Sequence, residues 1–457
     1  MRSELERCAR IVPERIGGRV ASVRGMTLLV DDLPLPVGAL VGVERRGMGE
    51  AMAEVIGFSR EQTVLMPLTT SQGVRPGARA WSIDHEPSAT VGPELLGRVV
   101  NGLGAPIDGG ASVGAGERSP LSPAPMGALE RARVCEPIRT GVRAIDLMTP
   151  MGRGQRLGVF AGPGVGKSTL LGQIARGTSA EISVIALIGE RGREVRDFIE
   201  TSLGPEGLAR SVVVAATGDE SPRMRLRAAR YACAIAAWFR DRGRDVLLMM
   251  DSVTRFAHAQ RQVGLSVGEP PATRGYTPSV FAEMANLLER AGAVEGPDGG
   301  TGGSVTGLYT VLVEGDDMTE PVADAARGIL DGHVILSREL AQEGHHPAID
   351  VLDSVSRVMD VVADEGHLAA RQQIVRLIAA YRRVRELVQI GAYAQGSDPE
   401  ADIAIALKDA IDGLLRQAPG EVASFESEKE RMIKLALQAA EEFERRRAAS
   451  GGGEQRG

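Results

Sequence analysis

One short stretch, residues 158–171, restricts what this chain can fold into more than any other part of it. It reads Gly-Val-Phe-Ala-Gly-Pro-Gly-Val-Gly-Lys-Ser-Thr-Leu-Leu. The apolar start predicts a short buried strand, the glycine-rich middle a turn, and the end the first turn of a helix. A strand, a glycine turn and a helix N-terminus in that order form a cradle for phosphate, because backbone N–H groups and the helix dipole point at the same anion.

Lys167 and Ser168 supply the chemistry that such a cradle needs. The lysine can reach the β- and γ-phosphates of a nucleotide, and the hydroxyl can bind a magnesium ion. Lys167 is the only lysine in the first 407 residues, and Ala161 stands where the strict G-x-x-x-x-G-K-[ST] pattern has glycine. Every other lysine-or-arginine position in those 407 residues is arginine, so lysine is kept at the one position that requires a compact ammonium group. We predict a nucleotide site formed by Gly162, Pro163, Gly164, Val165, Gly166, Lys167, Ser168 and Thr169.

The composition is that of an ordinary globular protein, and the absence of a recognisable targeting or membrane segment leads us to expect it in the cytoplasm or peripheral to a membrane. Of 457 residues, 43% are hydrophobic and 25% charged, and the net charge of −7 gives no support to nucleic-acid binding. Cys8, Cys135 and Cys233 form no pair with metal or disulfide spacing. The charged N-terminus has no apolar segment behind it, and no apolar run approaches the length that spans a bilayer.

The residue composition and the hydrophobic periodicity change several times along the chain. Residues 1–20 predict a short charged helix, and short β-rich pieces between 17 and 83 predict a small barrel or sandwich. Residues 87–127, rich in Gly, Pro, Ala and Ser, are interpreted as a connector. From about Pro137 strands alternate with helices, which predicts a parallel sheet covered by helices. After about residue 361 the pattern is almost purely helical, and the end is polar and glycine-rich.

Two carboxylates come directly after predicted strands of the α/β part. Asp251 ends the apolar strand 246–250, so it is placed to hold the water shell of a magnesium ion. Glu190 comes after the strand 182–188 and can polarise a water molecule for attack on phosphorus. The alternatives are a strand-end cap for Asp251 and a solvated charge run for Glu190.

Several segments resemble those of one family. Residues 161–169, 189–195, 247–255, 268–290 and 354–357 are similar to those of the ATPase of the flagellar type III protein export apparatus, a family related to the catalytic subunits of rotary ATP synthases. The stretch 268–281 is the most discriminating. Its Thr-Arg-Gly-Tyr, at 273–276, resembles the flagellar rather than the virulence-secretion branch.

The resemblance implies an α/β fold with a RecA-like P-loop ATPase core, an N-terminal β-barrel and a C-terminal helical domain. The expected parts are an N-terminal helical segment (1–20), the barrel (21–86), the ATPase domain (87–362), the helical domain (363–447) and a disordered tail (448–457).

The resemblance also implies roles for individual residues. Glu190 is similar to the catalytic carboxylate, and Arg191 beside it is expected to belong to the catalytic set. Arg357 resembles the arginine finger that reaches a neighbouring subunit's γ-phosphate, which is worth roughly 10³–10⁵ in rate where measured. His346 lies where the synthase relatives place an aromatic residue against adenine; the alternative is a solvated loop histidine. Lys167 and Ser168 correspond to the ligands of phosphate and magnesium, and Asp251 to the strand-end acid.

Both Glu190 and Arg357 occur in one chain, so a ring of identical subunits would be catalytically complete. We therefore expect a homohexamer that takes ATP and Mg²⁺. The resemblance further implies a stator-like regulatory subunit at the N-terminus, a central stalk-like subunit, the membrane proteins of the export gate, and chaperone–cargo complexes as partners. Residues 393–399 replace the acidic torque segment of the synthase, which suits a different central partner.

The expected function is ATP hydrolysis that energises flagellar protein export. One alternative is the ATPase of a virulence type III secretion system. Another is a RecA-like ring that translocates RNA, but Phe58 is the only aromatic residue before residue 80, and RNA-binding barrels need aromatic stacking platforms. A third is a non-catalytic ring subunit, against which Glu190 argues.

Overall fold

The N-terminal part is a closed β-barrel. In the computed structural model, which describes residues 16–451 except 115, 124, 125, 128, 297–300, 422 and 423, six strands surround its interior in the order β1-β2-β5-β4-β3-β6. Leucine, valine and alanine side chains fill that interior. The strands are β1 (Gly17–Arg24), β2 (Thr27–Asp31), β3 (Leu40–Glu44), β4 (Glu50–Ser59), β5 (Gln62–Pro67) and β6 (Arg79–Asp84).

The barrel begins earlier than the predicted boundary at residue 21. Gly17 and Gly18 pair with Trp81 and Ala80, so the first residues of β1 close the barrel against β6. The predicted N-terminal helix falls mostly on residues 1–15, which lie outside the described part of the chain.

The segment interpreted as a connector carries three strands. β7 (Ser88–Val91) pairs with β9 (Glu117–Pro120), and β8 (Val99–Val100) joins the edge of the main sheet beside β14 (Ser211–Ala216). The sheet therefore takes a strand from well before Pro137, where the sequence predicted the core to begin. β8 is two residues long, too short to show periodicity in sequence.

The α/β domain is built on one large, mostly parallel sheet. A separate pair, β10 (Pro137–Ile138) and β11 (Met151–Gly152), precedes it. The remaining strands are β12 (Arg156–Ala161), β13 (Ile182–Ile188), β15 (Asp245–Asp251), β16 (Gly292–Glu295), β17 (Thr301–Leu312), β18 (Gly332–Leu336) and β19 (Ile349–Ser356). Among the described residues the order is β19-β18-β12-β17-β15-β13-β14-β8, with β16 paired to β17 and β19 antiparallel to β18.

Helices cover both faces of this sheet, as near-continuous apolar strands require. The sequence Asp-Glu-Ser-Pro at 219–222 predicts a helix start, because proline suits the first helical position, and the structure confirms it. Pro222 opens the helix, and Ser221 accepts a hydrogen bond from the Met224 N–H at 3.2 Å. The helices are α1 (Arg143–Met148), α2 (Lys167–Gly177), α3 (Gly192–Asp197), a π-helical turn (Phe198–Leu203), α4 (Gly204–Ala209), α5 (Pro222–Arg240), α6 (Val253–Ser266), α7 (Pro278–Leu288), α8 (Pro321–Ile329), α9 (Arg338–Gln342) and α10 (Met359–Val362).

The C-terminal part is helical, as predicted. The sequence pattern over residues 401–416 predicts one continuous helix, but the structure divides it at Leu407, whose backbone leaves helical geometry. The last helix continues four residues beyond the expected end at Arg447, since residues 448–450 are Ala-Ala-Ser and extend the helix. Residues 452–457 lie outside the described range. The helices are α11 (Glu365–Gln389), α12 (Pro399–Ala406), α13 (Lys408–Leu415) and α14 (Phe425–Gly451). None of the described helices combines the length and apolar character needed to cross a bilayer.

A buried carboxylate joins the barrel to the α/β domain. Glu54 of β4 lies against α5, where its Oε1 accepts a hydrogen bond from Arg223 at 2.5 Å and its Oε2 is 3.8 Å from Arg227. All three side chains are buried. Such a group is stable only while each charge keeps its partner.

Glu54→Ala is therefore expected to lower the free energy of unfolding by about 3–5 kcal/mol, the usual cost of leaving buried charges unpaired. The urea midpoint of the full-length protein measures this. Glu50→Ala, at an exposed position of the same strand, is the matched control. Equal midpoints for the two variants would contradict the structural role of Glu54.

Candidate active site

The glycine-rich loop has the geometry that the sequence predicted. β12 ends at Ala161 and α2 begins at Lys167. Gly164 and Gly166 have φ values of 78° and 89°, a left-handed conformation that glycine adopts without a steric penalty. No side chain caps the start of α2, so its first N–H groups face the loop and are available to an anion.

The structure brings Lys167, Asp251 and Glu190 together. The Lys167 ammonium group donates a short hydrogen bond to Asp251 Oδ1, and its Nζ is 3.8 Å from Glu190 Oε1. Asp251 ends β15 and Glu190 comes just after β13, which is the neighbouring strand. Because both strands are parallel to β12, their carboxyl ends meet at the same edge of the sheet as the glycine loop.

Glu190 is held in an environment that favours its protonated form. Its side chain is only about 10% exposed. Burial first, then the charge of Asp251, raise the pKa of Glu190 to about 7, although Lys167 and Arg255 oppose the shift. Its Oε1 is buried and has no well-formed hydrogen bond to the described residues. A carboxylate with a pKa near neutrality is suited to accept a proton from water.

Two residues that contact these carboxylates were missed at the sequence level. The Nε of Arg255 lies 3.3 Å from Glu190 Oε1, and the Thr310 hydroxyl lies 2.7 Å from Asp251 Oδ1. Arg255 could have been found, since it stands four residues after Asp251, in the first turn of the helix that comes after β15. Thr310 carries no such signal, because it comes from β17.

The structure places Ser168, Arg191 and His346 near the loop in different ways. Ser168 lies in the first turn of α2. Arg191 comes directly after Glu190, but its guanidinium group is exposed and pairs with Glu194 at 3.3 Å. His346 lies beside the glycine loop: its Nδ1 is 3.9 Å from the position that a Cβ on Gly166 would occupy.

Arg357 is not brought to this edge. It comes after Ser356, which pairs with Gly332 at the start of β18, whereas Leu336 at the end of β18 lies beside Ala161. The four residue steps between those two levels span ~13 Å at ~3.3 Å per residue. Arg357 is exposed, and its backbone N–H donates to the Asp331 carbonyl oxygen at 3.0 Å. It therefore lies towards the opposite end of the sheet.

A cavity of about 1440 Å³ lies elsewhere, between the barrel, α5 and α7. Its lining includes Glu54, Arg223 and Arg230, which pair with one another or with Glu283. None of the residues predicted for the nucleotide site lines it. The predicted site lies instead at the carboxyl edge of the sheet.

Family models match most of the α/β and helical parts. Residues 141–356 match the nucleotide-binding domain of the ATP synthase alpha/beta family, and residues 363–434 match the C-terminal domain of the T3SS EscN ATPase. With the glycine loop and its two carboxylates, the fold defines a P-loop ATPase.

Proteins that are similar to nearly the whole chain identify the family within the class of P-loop ATPases. The flagellum-specific ATP synthase of Pseudomonas aeruginosa is 47% identical over 92% of this chain and 93% of its own length. That of Salmonella typhimurium is 48% identical (90% and 91%). The type 3 secretion system ATPase of Xanthomonas euvesicatoria is 47% identical (93% and 96%). The chain belongs to this family of flagellar and type III secretion ATPases, and it is an ATP-hydrolysing enzyme.

Solved structures agree with the fold. The assembled ATPase EscN from the type III secretion system of enteropathogenic E. coli superposes with a TM-score of 0.84 at 42% identity, covering 92% of this chain and 100% of that one. The structure of EscN in complex with its central stalk EscO gives the same score at 41% identity and the same coverage. The predicted family and fold class are thereby confirmed.

The raised pKa of Glu190 makes two pH effects measurable. If the ionised carboxylate is the active form, kcat/KM for ATP should rise with pH through about 7.

Because the pKa of Glu190 is higher in the folded state than in the unfolded state, Glu190 stabilises the fold at low pH, and that contribution is lost as pH rises towards and through 7. Glu190→Gln should therefore lose less thermal stability than wild type between pH 5 and 8. The same change of melting temperature with pH in wild type and Glu190→Gln would contradict a raised pKa of the buried Glu190 carboxyl group.

Proposed function

We propose that Lys167, Ser168, Asp251 and Glu190 form the hydrolytic site of the chain. The observation that carries the proposal is the contact of the loop lysine with Asp251, next to a buried Glu190 with a raised pKa. In this assignment Lys167 binds the β- and γ-phosphates. Glu190 takes a proton from, or orients, the attacking water. The backbone N–H groups of the loop bind the remaining phosphate oxygens.

Mg²⁺ fits the same residues. The Ser168 hydroxyl and the Asp251 carboxylate offer the hard oxygen ligands that this ion prefers, and it is usually held by one or two carboxylates together with substrate phosphates. Among the described residues, no group of three or more His, Cys, Asp or Glu is arranged to hold a metal by itself. The ion supplies charge neutralisation at the phosphates. Asp251 is assigned to its water shell and Ser168 to direct ligation.

We further propose that Arg357 acts on the nucleotide of a neighbouring subunit. Its position towards the far end of β18, ~13 Å of strand away from the level of the glycine loop, supports this proposal, because it argues against contact with a nucleotide bound at the loop of the same subunit. Its exposure leaves it available to a second copy. Arg191, also exposed and adjacent to Glu190, is assigned to the same catalytic set. His346 is assigned to contact with the adenine base of the nucleotide.

These assignments support a homohexameric ring as the active form. The assembled state of EscN and its complex with a central stalk support a ring and a central stalk-like partner here too. We also propose a regulatory partner for residues 1–20, together with the export gate and chaperone–cargo complexes. In this assignment the ring works at the inner face of the cytoplasmic membrane and binds no nucleic acid. The relatives named above are export ATPases rather than RNA translocases.

The Thr-Arg-Gly-Tyr stretch at 273–276 favours flagellar export over virulence secretion. Overall identity separates the two branches little, since the flagellar relatives named above are 47% and 48% identical and the secretion relative is 47% identical. Complementation tests the choice. Expressed in a flagellated strain that lacks its own export ATPase, the chain should restore swimming and the secretion of hook and filament subunits. Rescue of effector secretion alone, in a virulence-system mutant, would favour the alternative.

Lys167→Ala should weaken both nucleotide binding and hydrolysis, since a charge-assisted contact to phosphate is lost in the ground state and the transition state alike. Binding of a fluorescent ATP analogue and phosphate release on one preparation measure both. Lys434→Ala, at an exposed lysine of α14, is the control. Unchanged affinity and rate in Lys167→Ala would remove the loop from its role.

Arg357→Ala should bind nucleotide normally and hydrolyse it poorly, and Glu190→Gln should do the same. Mixed in one ring, the two variants should regain part of the activity, because about a quarter of the interfaces pair an intact Glu190 with an intact Arg357 when sites act independently. Ring assembly is verified first by size-exclusion chromatography. A fully active monomer on dilution would rule out a finger acting across the interface.

A further inference from the structure

Thr310 touches the Asp251 carboxylate from a strand that the predicted site does not use. Its side chain is fully buried. Its Oγ1 lies 2.7 Å from Asp251 Oδ1 and 3.3 Å from the Met250 carbonyl oxygen. Both of those oxygens can only accept, so the hydroxyl must donate. The shorter distance, to a charged acceptor, identifies Asp251 as the main partner.

The strand order explains why this contact can exist. β17 lies between β12, which leads into the glycine loop, and β15, which ends at Asp251. On one side of β17, Thr310 pairs with Val159 of β12. On the other side, its neighbour Tyr309 pairs with Met250, the residue before Asp251. The Thr310 hydroxyl therefore reaches the strand-end acid from a strand that is paired on both sides.

Lys167 and Thr310 contact the same oxygen, Asp251 Oδ1. On the function proposed above, Lys167 binds the phosphates of the nucleotide. Its three N–H donors are then shared between the phosphates and Asp251. The Thr310 hydroxyl has no such competing task, and its backbone is fixed in the sheet.

We propose that Thr310 is a positioning residue for ATP hydrolysis. It anchors Oδ1 of Asp251, and thereby leaves the other carboxylate oxygen directed to the magnesium–nucleotide complex while Lys167 is engaged with phosphate. This inference rests on the assignment of Asp251 to the magnesium site. The alternative is that Thr310 is merely a β-branched residue that packs well in a strand.

A substitution that keeps shape and removes the hydroxyl separates the two. Thr310→Val is close to isosteric, and Thr310→Ser restores the donor. Thr306→Val is a matched control: Thr306 lies on the same strand and is equally buried. Its hydroxyl also forms a hydrogen bond, accepting from the Gly154 N–H at 2.9 Å, but away from the carboxyl edge. Each variant is assayed for thermal stability, for kcat and KM, and for binding of a fluorescent ATP analogue with and without Mg²⁺.

Thr310→Val should retain the magnesium-free affinity of wild type and lose most of the gain that Mg²⁺ produces. Its kcat should fall by about 10- to 100-fold, the effect expected from losing one hydrogen bond to a charged group. Thr310→Ser should recover most of both. Thr306→Val should keep the magnesium gain and kcat, whatever it costs in melting temperature.

The proposal is overturned if Thr310→Val matches Thr306→Val in magnesium gain and kcat, or if Thr310→Ser is as impaired as Thr310→Val. Should Thr310→Val fail to fold, Thr310→Ser and Thr310→Cys replace it as a pair of similar size, of which only serine is a strong donor; equal kcat in that pair also overturns it. An inactive Lys167→Ala together with an unaffected Thr310→Val would refute only the role of Thr310. An unaffected Lys167→Ala would refute the proposed site itself.

Discussion

The ion pair between Lys167 and Asp251 depends on the order of three strands. β12 delivers the lysine through the glycine loop, β15 delivers the acid, and β17 between them sets their separation. The pair also connects residues 84 positions apart in the chain. Burying two charges is favourable only when the geometry between them is good. The site therefore exists only when this part of the sheet is correctly assembled.

The charges of this pocket already pair with one another. Two carboxylates, Asp251 and Glu190, face the Lys167 ammonium group and the Arg255 guanidinium group. Burial first, and then the charge of Asp251, raises the pKa of Glu190 to about 7. A polyphosphate entering such a pocket brings more negative charge to it. A divalent cation that arrives with the phosphates offsets this, whereas a free nucleotide does not. The electrostatics thus favour the magnesium complex of the nucleotide over the nucleotide alone.

The sequence was informative wherever a function depends on local order. The loop, Asp251 and Glu190 were all predicted from their positions at the ends of apolar strands, because the carboxyl ends of parallel strands share one edge. The sequence was uninformative where a contact depends on strands distant in the chain. Thr310 is one of several threonines on β17, and nothing nearby marks it as the partner of Asp251. The two-residue strand Val99–Val100 was missed for a related reason, since its pairing with β14 alone defines it.

If Arg357, which lies towards the opposite end of the sheet from Lys167, acts across a subunit boundary as proposed, each subunit carries two half-sites rather than one whole site. If these halves meet only between copies, a newly made subunit cannot consume ATP while it diffuses through the cell. Hydrolysis would begin where subunits are concentrated, and its rate would depend steeply on their local number. Expenditure of energy would then be confined to the place of assembly by geometry alone, without a dedicated inhibitor.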